Sequence, residues 1–195
     1  MLTRLNLETR ALHPEADAMW VELLSHGTTL DLYRSTLVTA YGFEAPVEAA
    51  LSLTAGVNAV LPLRPRARTG LLVQDLLTLG YTASRIARLP MSCQIVPYRS
   101  VVEALGWLYV VERVTLLHET IRRHLEVTHP SLEAFSYLRA YDGHTGQRWQ
   151  ELGHALDRIA TDDELGTQMV AAARDAFATQ RDWIANEAPA AMSAP

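Results

Sequence analysis

Apolar residues recur at three- and four-residue spacing along nearly the whole chain, and no β-branched run alternates strictly between hairpin turns. The pattern predicts an all-α fold, a multi-helix bundle. Residues 3–24 read as a first helical stretch that must kink or restart at Pro14, since proline lacks an N–H and its ring collides with the carbonyl four residues back. His13 sits at that join. Thr28 with Asp31 reads as an N-cap pair opening a helix through Phe43, which Glu44 to Leu53 continues after a bend before Pro46.

The segment VLPLRPRARTG, with two prolines and three arginines, predicts an exposed connection. The amphipathic run LLVQDLLTLG follows it and ends at Gly80, and a short helix is expected from Ser84 to Leu89. Ser100 and Glu103 have capping-box spacing, and the run after them is apolar on almost every face until Thr120, as a buried central helix would be. Further helices are expected from Pro130 to Ala140 and from Trp149 to Ala160, with Thr161 and Glu164 capping a long last one.

With 195 residues, about half of them apolar, the chain has the size and composition of one domain. That domain is expected over residues 1–187, with the Ala- and Pro-rich residues 188–195 as a flexible tail. A net charge of −5 and the lack of any basic run argue against a nucleic-acid partner. The apolar stretches are too short to span a membrane. The lone Cys93 cannot form an internal disulfide and the N-terminus has no cleavable apolar leader, so a reducing cytoplasm is the expected location.

Candidate chemistry narrows quickly. There is no GxSxG nucleophile elbow and no glycine-rich phosphate loop, and Cys93 has no neighbouring base. Of seven histidines, His26, His129 and His144 fall in predicted loops, where solvated histidines are usual. Glu151 and His154 have the i, i+3 spacing of di-iron bundles, but a second such pair is missing. His118 and His124 read as partly exposed helix residues without a metalloprotease motif. His13 stands apart, lying on an amphipathic stretch between Leu12 and Trp20 with Glu15 and Asp17 just after it.

The segment LETRALHPEAD resembles the proximal-helix signature of heme oxygenases, in which a Thr, a His and an acidic residue follow one another at four-residue intervals, here Thr9, His13 and Asp17. LLVQDLLTLG, EALGWLYVVE and the run from Trp149 to Trp183 are similar to further segments of the family's bacterial, biliverdin-producing branch, so the resemblance spans residues 3 to 185. It implies heme as substrate or ligand, His13 as the iron ligand, and an electron-donor protein as partner. It also implies cleavage of heme by O2 and electrons to biliverdin, iron and CO.

The family's distal Gly-Ser-Thr-Leu-Gly-Gly run is replaced by Arg113-Val114-Thr115-Leu116-Leu117-His118. Arg113 and Leu117, four apart, would share a helix face and press on the heme plane where glycines leave room. Two readings follow. One is a heme-cleaving enzyme that holds heme through His13, Arg113 and Leu117. The other is a non-enzymatic member whose pocket is filled by Arg113, Leu117 and His118, serving as a binding or regulatory protein for another small ligand or a protein. A third arrangement would keep heme and place His118 or Arg113 at its sixth position.

Overall fold

The computed structural model describes residues 1–187, and among them every regular element is helical. The tail expected at 188–195 lies outside the described residues. The opening stretch is two helices, α1 (Leu2–Thr9) and α2 (His13–Glu22), joined by a 3₁₀ turn at Arg10–Leu12. Pro14 falls in the first turn of α2, where its missing N–H has no intrahelical partner to lose.

Helix α3 (Leu30–Leu53) runs unbroken through Pro46. Its cap is Thr29, whose side chain accepts from Leu32 N at 3.1 Å. The expected cap, Thr28, is buried and donates to carbonyls of the preceding turn, 2.9 Å from Leu23 O and from Ser25 O. The short helix α4 (Val57–Val60), a 3₁₀ turn at Arg64–Arg66, α5 (Thr69–Thr78) and the short α6 (Ala83–Ile86) follow. Gly80, at φ +91°, ends the α5 region in a left-handed conformation that favours glycine.

The central helix α7 (Val101–Arg113) begins at the expected Ser100 cap, whose Oγ accepts from Glu103 N at 3.2 Å. It does not run on to Thr120. A 3₁₀ turn at Val114–Leu116 separates it from α8 (His118–Thr128). Residues 130–140 form turns where a helix was expected, for a tertiary reason. The Asp75 carboxylate accepts from the backbone N–H groups of Ser136 and Tyr137, both at 2.8 Å, and Tyr33 Oη donates to Ala134 O at 2.7 Å. Helix α9 (Thr145–Ile159) and helix α10 (Asp163–Asp182) complete the bundle, with Asp162 taking the cap position expected of Thr161. A π-helical turn, Trp183–Glu187, ends the described chain.

Helix α7 lies against α10 at backbone contact. A Cβ on Gly106 would sit 2.6 Å from Met169 O and 2.8 Å from the Ala172 Cβ, so only glycine allows the two helices to approach this closely. Beside that seam, the segment expected to be an exposed connection is partly interior: Arg66 is 4% exposed and Arg68 2%. The reason lies on the facing helices, where Glu44 of α3 and Glu112 of α7 are themselves 5% and 0% exposed. Arg68 bridges them at 3.1 Å and 3.2 Å, and Arg66 reaches Glu112 at 3.0 Å and Glu151 of α9 at 3.2 Å. Tyr137 Oη donates to Glu44, and Tyr141 Oη to Glu112 at 2.8 Å.

Gly106→Ala should lower stability by about 1–3 kcal/mol through overpacking against a backbone carbonyl, read by urea denaturation. Glu112→Gln leaves two buried guanidinium groups under-compensated and should cost about 3 kcal/mol in the same measurement.

Candidate functional site

His13 opens α2, and its half-buried ring packs on Phe177 of α10 at 5.5 Å between centroids. One turn earlier, the Thr9 hydroxyl donates to Leu5 O at 2.7 Å, and the same oxygen lies 2.9 Å from His13 Nε2. A hydroxyl has one proton to give, so the ring is the donor in the second contact. Nε2 therefore carries the proton, and Nδ1 keeps its lone pair. Burial, followed by the charge of Arg113, lowers the His13 pKa, and Asp17 only partly offsets them. The imidazole is therefore neutral at pH 7, the form that binds metals.

Arg113 ends α7 and donates from Nη2 to Asp17 Oδ2 at 2.7 Å. This mostly buried ion pair straps α7 to α2 one turn beyond His13. Between the two helices, one turn beyond His13, the cleft is nearly closed: Ala16, Asp17, Phe43, Val110, Arg113 and Trp183 border a cavity of about 20 Å³ that His13 itself does not line. Trp183 seals its far side. Its Nε1 donates to Thr39 O at 2.9 Å, and its ring lies so near α3 that a Cβ on Gly42 would come within 2.2 Å.

The turn after Arg113 is held by a side chain. Thr115 Oγ1 donates back to Glu112 O at 2.7 Å and accepts from Trp149 Nε1 of α9 at 3.1 Å, which occupies a carbonyl that a continuing helix would use. Because the helix breaks there, Arg113 and Leu117 do not share one continuous face. Arg113 and Val114 border the cleft, whereas Leu117 does not and packs on the apolar cluster of Trp20 and Tyr137. His118, expected to be partly exposed, is 3% exposed, with ring centroids 4.7 Å from Tyr137 and 6.3 Å from Trp20. Neither of its nitrogens has a hydrogen-bond partner, and burial, then Arg68, holds it neutral well below the usual histidine range.

The other histidines stay apart from this site. His26, His144 and His154 are exposed, and Glu151 is engaged with Arg66, Arg148 and Gln147 rather than His154. No cluster of three metal-ligating side chains occurs among the described residues, and none of their helices is long and apolar enough to cross a membrane. The pattern missed Glu44, Arg66, Arg68, Glu112 and Trp183. The available signal was two glutamates inside otherwise apolar helices with two arginines in a nearby proline-bearing segment.

This arrangement, an all-helical bundle with a neutral histidine on its second helix facing a broken central helix, is a heme-oxygenase-type fold. A solved structure of the NO- and CO-bound heme oxygenase from Neisseria meningitidis superposes with a TM-score of 0.74, at 22% identity, over 93% of this chain and 88% of that one. No curated protein sequence matches the chain. The family model for heme oxygenase matches residues 1–186, and the chain belongs to that family.

Arg113→Gln removes a cation that lowers the His13 pKa and releases Asp17, which raises it, so the His13 titration midpoint should move up. A histidine-resolved NMR pH titration of the two proteins would show it, and an unchanged or lower midpoint would contradict the strap's electrostatic role.

Proposed function

We propose that this heme oxygenase family member binds heme through His13 and, supplied with O2 and electrons, cleaves it to biliverdin, iron and CO. The observation that carries the reading is His13 itself: a neutral imidazole at the start of α2, one turn from the Asp17–Arg113 pair that joins α2 to α7, in a chain of this family. The donor suits iron, but the volume does not suit heme. Small-molecule pockets run to about 300–1,000 Å³, against about 20 Å³ here. Heme therefore requires an opened form, in which the Arg113–Asp17 pair parts and the His13 ring leaves the Thr9 hydroxyl. Bound heme would bring its own oxygen chemistry, and the chain would contribute the His13 imidazole to hold it and the shape of the cleft. Val110, Val111 and Arg113 of α7 border that cleft, and Arg113 is the one among them whose ion pair ties α7 to α2.

The test is a hemin titration followed by absorption, then reductant in air. The expected result is a saturating Soret band that His13→Ala abolishes and that decays to a biliverdin spectrum. Arg113→Ala, which removes the strap, should tighten binding by up to about tenfold, the equivalent of one partly buried ion pair. A Soret band indifferent to His13→Ala, or none in either the parent or Arg113→Ala, would overturn the proposal and leave the filled-pocket reading. A Soret band that needs His13 but persists under reductant in air would retain heme binding and overturn cleavage.

A further inference from the structure

His118 is buried at the joint between α7 and α8, and no hydrogen bond among the described residues holds it there. Its ring is wedged against Tyr137 and Trp20, both wholly buried, so Nδ1 and Nε2 are cut off from water as well as from protein partners. Such a ring is tolerated only as the neutral species, since a buried imidazolium with no acceptor or counter-ion costs far more than an unpaired nitrogen. The surrounding groups reinforce that choice. Arg68 approaches from the 62–69 segment and opposes a second positive charge, and its carboxylate partners, Glu44 of α3 and Glu112 of α7, are already committed to it. Tyr137 and Tyr141 of the 137–141 turns donate their hydroxyls to those same carboxylates, and α2 packs on the ring through the uncharged Trp20. The ring also stands in the first turn of α8, the positive end of the helix dipole.

A way out lies beside it. His118 lines a cavity of about 300 Å³ together with Glu119, Arg122, Tyr141 and Asp142. Glu119 and Asp142 are exposed and Arg122 is paired with Glu126, so an imidazolium that leaves the core gains water and two nearby carboxylates. The backbone that must yield is the 3₁₀ turn Val114–Leu116, where the α-helical hydrogen bonding is already interrupted. We propose that His118 is a proton-operated latch: in mild acid it takes up a proton, leaves the Trp20–Tyr137 core for this cavity and opens the joint between α7 and α8. Trp20 and Val114 also border the small cavity one turn beyond His13, so opening the joint loosens that wall as well. Because the closed form excludes the proton and the open form binds it as an ordinary histidine does, closure is fully favoured above about pH 6.5 and weakens as the pH falls below it.

Hydrogen–deuterium exchange of the full-length chain without heme, corrected for the intrinsic pH dependence of exchange, reads the opening. Between about pH 7.5 and about pH 5 the open fraction over residues 114–125 should rise by up to about 30-fold, the ratio that a midpoint of about 6.5 sets, while α10 keeps its protection. His118→Phe and His118→Asn, neither of which can take up a proton, should lose that rise, and a circular-dichroism melt establishes that each folds. A histidine-resolved NMR titration of the parent needs no variant and should find His118 still neutral at about pH 6, where an exposed histidine is mostly protonated. An equal rise in the parent and both variants, a His118 ring that titrates at the ordinary midpoint with the joint still closed, or exchange that rises equally in α10 would each overturn the proposal.

Discussion

The buried network of Glu44, Arg66, Arg68 and Glu112 is the constraint around which the bundle is arranged. Burial alone would lower the Arg68 pKa, but Glu44 and Glu112 outweigh it and raise it well above the usual arginine range. Glu44 feels the opposite pressure: burial raises its pKa, and Arg68 and the Tyr137 hydroxyl work against that rise. Ions removed from water are tolerable only when their partners are fixed. The partners here come from α3, α7, the 62–69 segment, the 137–141 turns and α9, so any displacement among these elements strands a charge. The network therefore sets the separation of α3 and α7, and with it one wall of the cleft that Asp17 and Arg113 border.

Directly after Glu112 and Arg113, α7 ends. Glycines at the family's distal positions would give a helix both flexibility and room. This chain reaches a break by a different route, with Thr115 taking up the Glu112 carbonyl and holding the Trp149 indole. The break turns Leu117 and His118 toward Trp20 and Tyr137 and leaves Arg113 and Val114 at the cleft. Substituting bulky residues for small ones has thus not laid several side chains across the cleft. It has produced one polar strap, Arg113 to Asp17, together with an indole seal at Trp183.

The helical class and most element positions were legible because 3.6-residue periodicity and local capping report them directly. Ser100, Pro14 and Gly80 each act within one turn of chain. What the pattern misread was set by partners distant in sequence. Residues 130–140 have a helix-compatible composition, but Asp75, more than sixty residues away, claims the Ser136 and Tyr137 amides. Arg66 and Arg68 sit in a segment that looks solvated, and only Glu44 and Glu112 draw it inward. At the candidate site, the four-residue spacing of Thr9, His13 and Asp17 was legible, and it accounts for the Thr9–His13 contact. The closure of its cleft was not, because it depends on Trp183 and on where α7 stops.

A closed cleft does not by itself decide against a ligand; it sets a tax on affinity. If only a fraction of molecules is open, the apparent dissociation constant rises by the inverse of that fraction, and a closed form favoured by about 3 kcal/mol weakens binding roughly 150-fold. One partly buried ion pair, one His–Thr hydrogen bond and the packing of one indole are together of that order. Such a penalty is small beside the affinity an axial bond and a large apolar ring can supply. The parts that would move, the first turns of α2 and the Arg113 side chain, lie outside the buried charge network, which α7 enters through Glu112. Opening can therefore leave the ions of the frame paired, and it is this division between a charged, immobile centre and a strapped, separable edge that makes a ligand-dependent opening physically affordable in this fold.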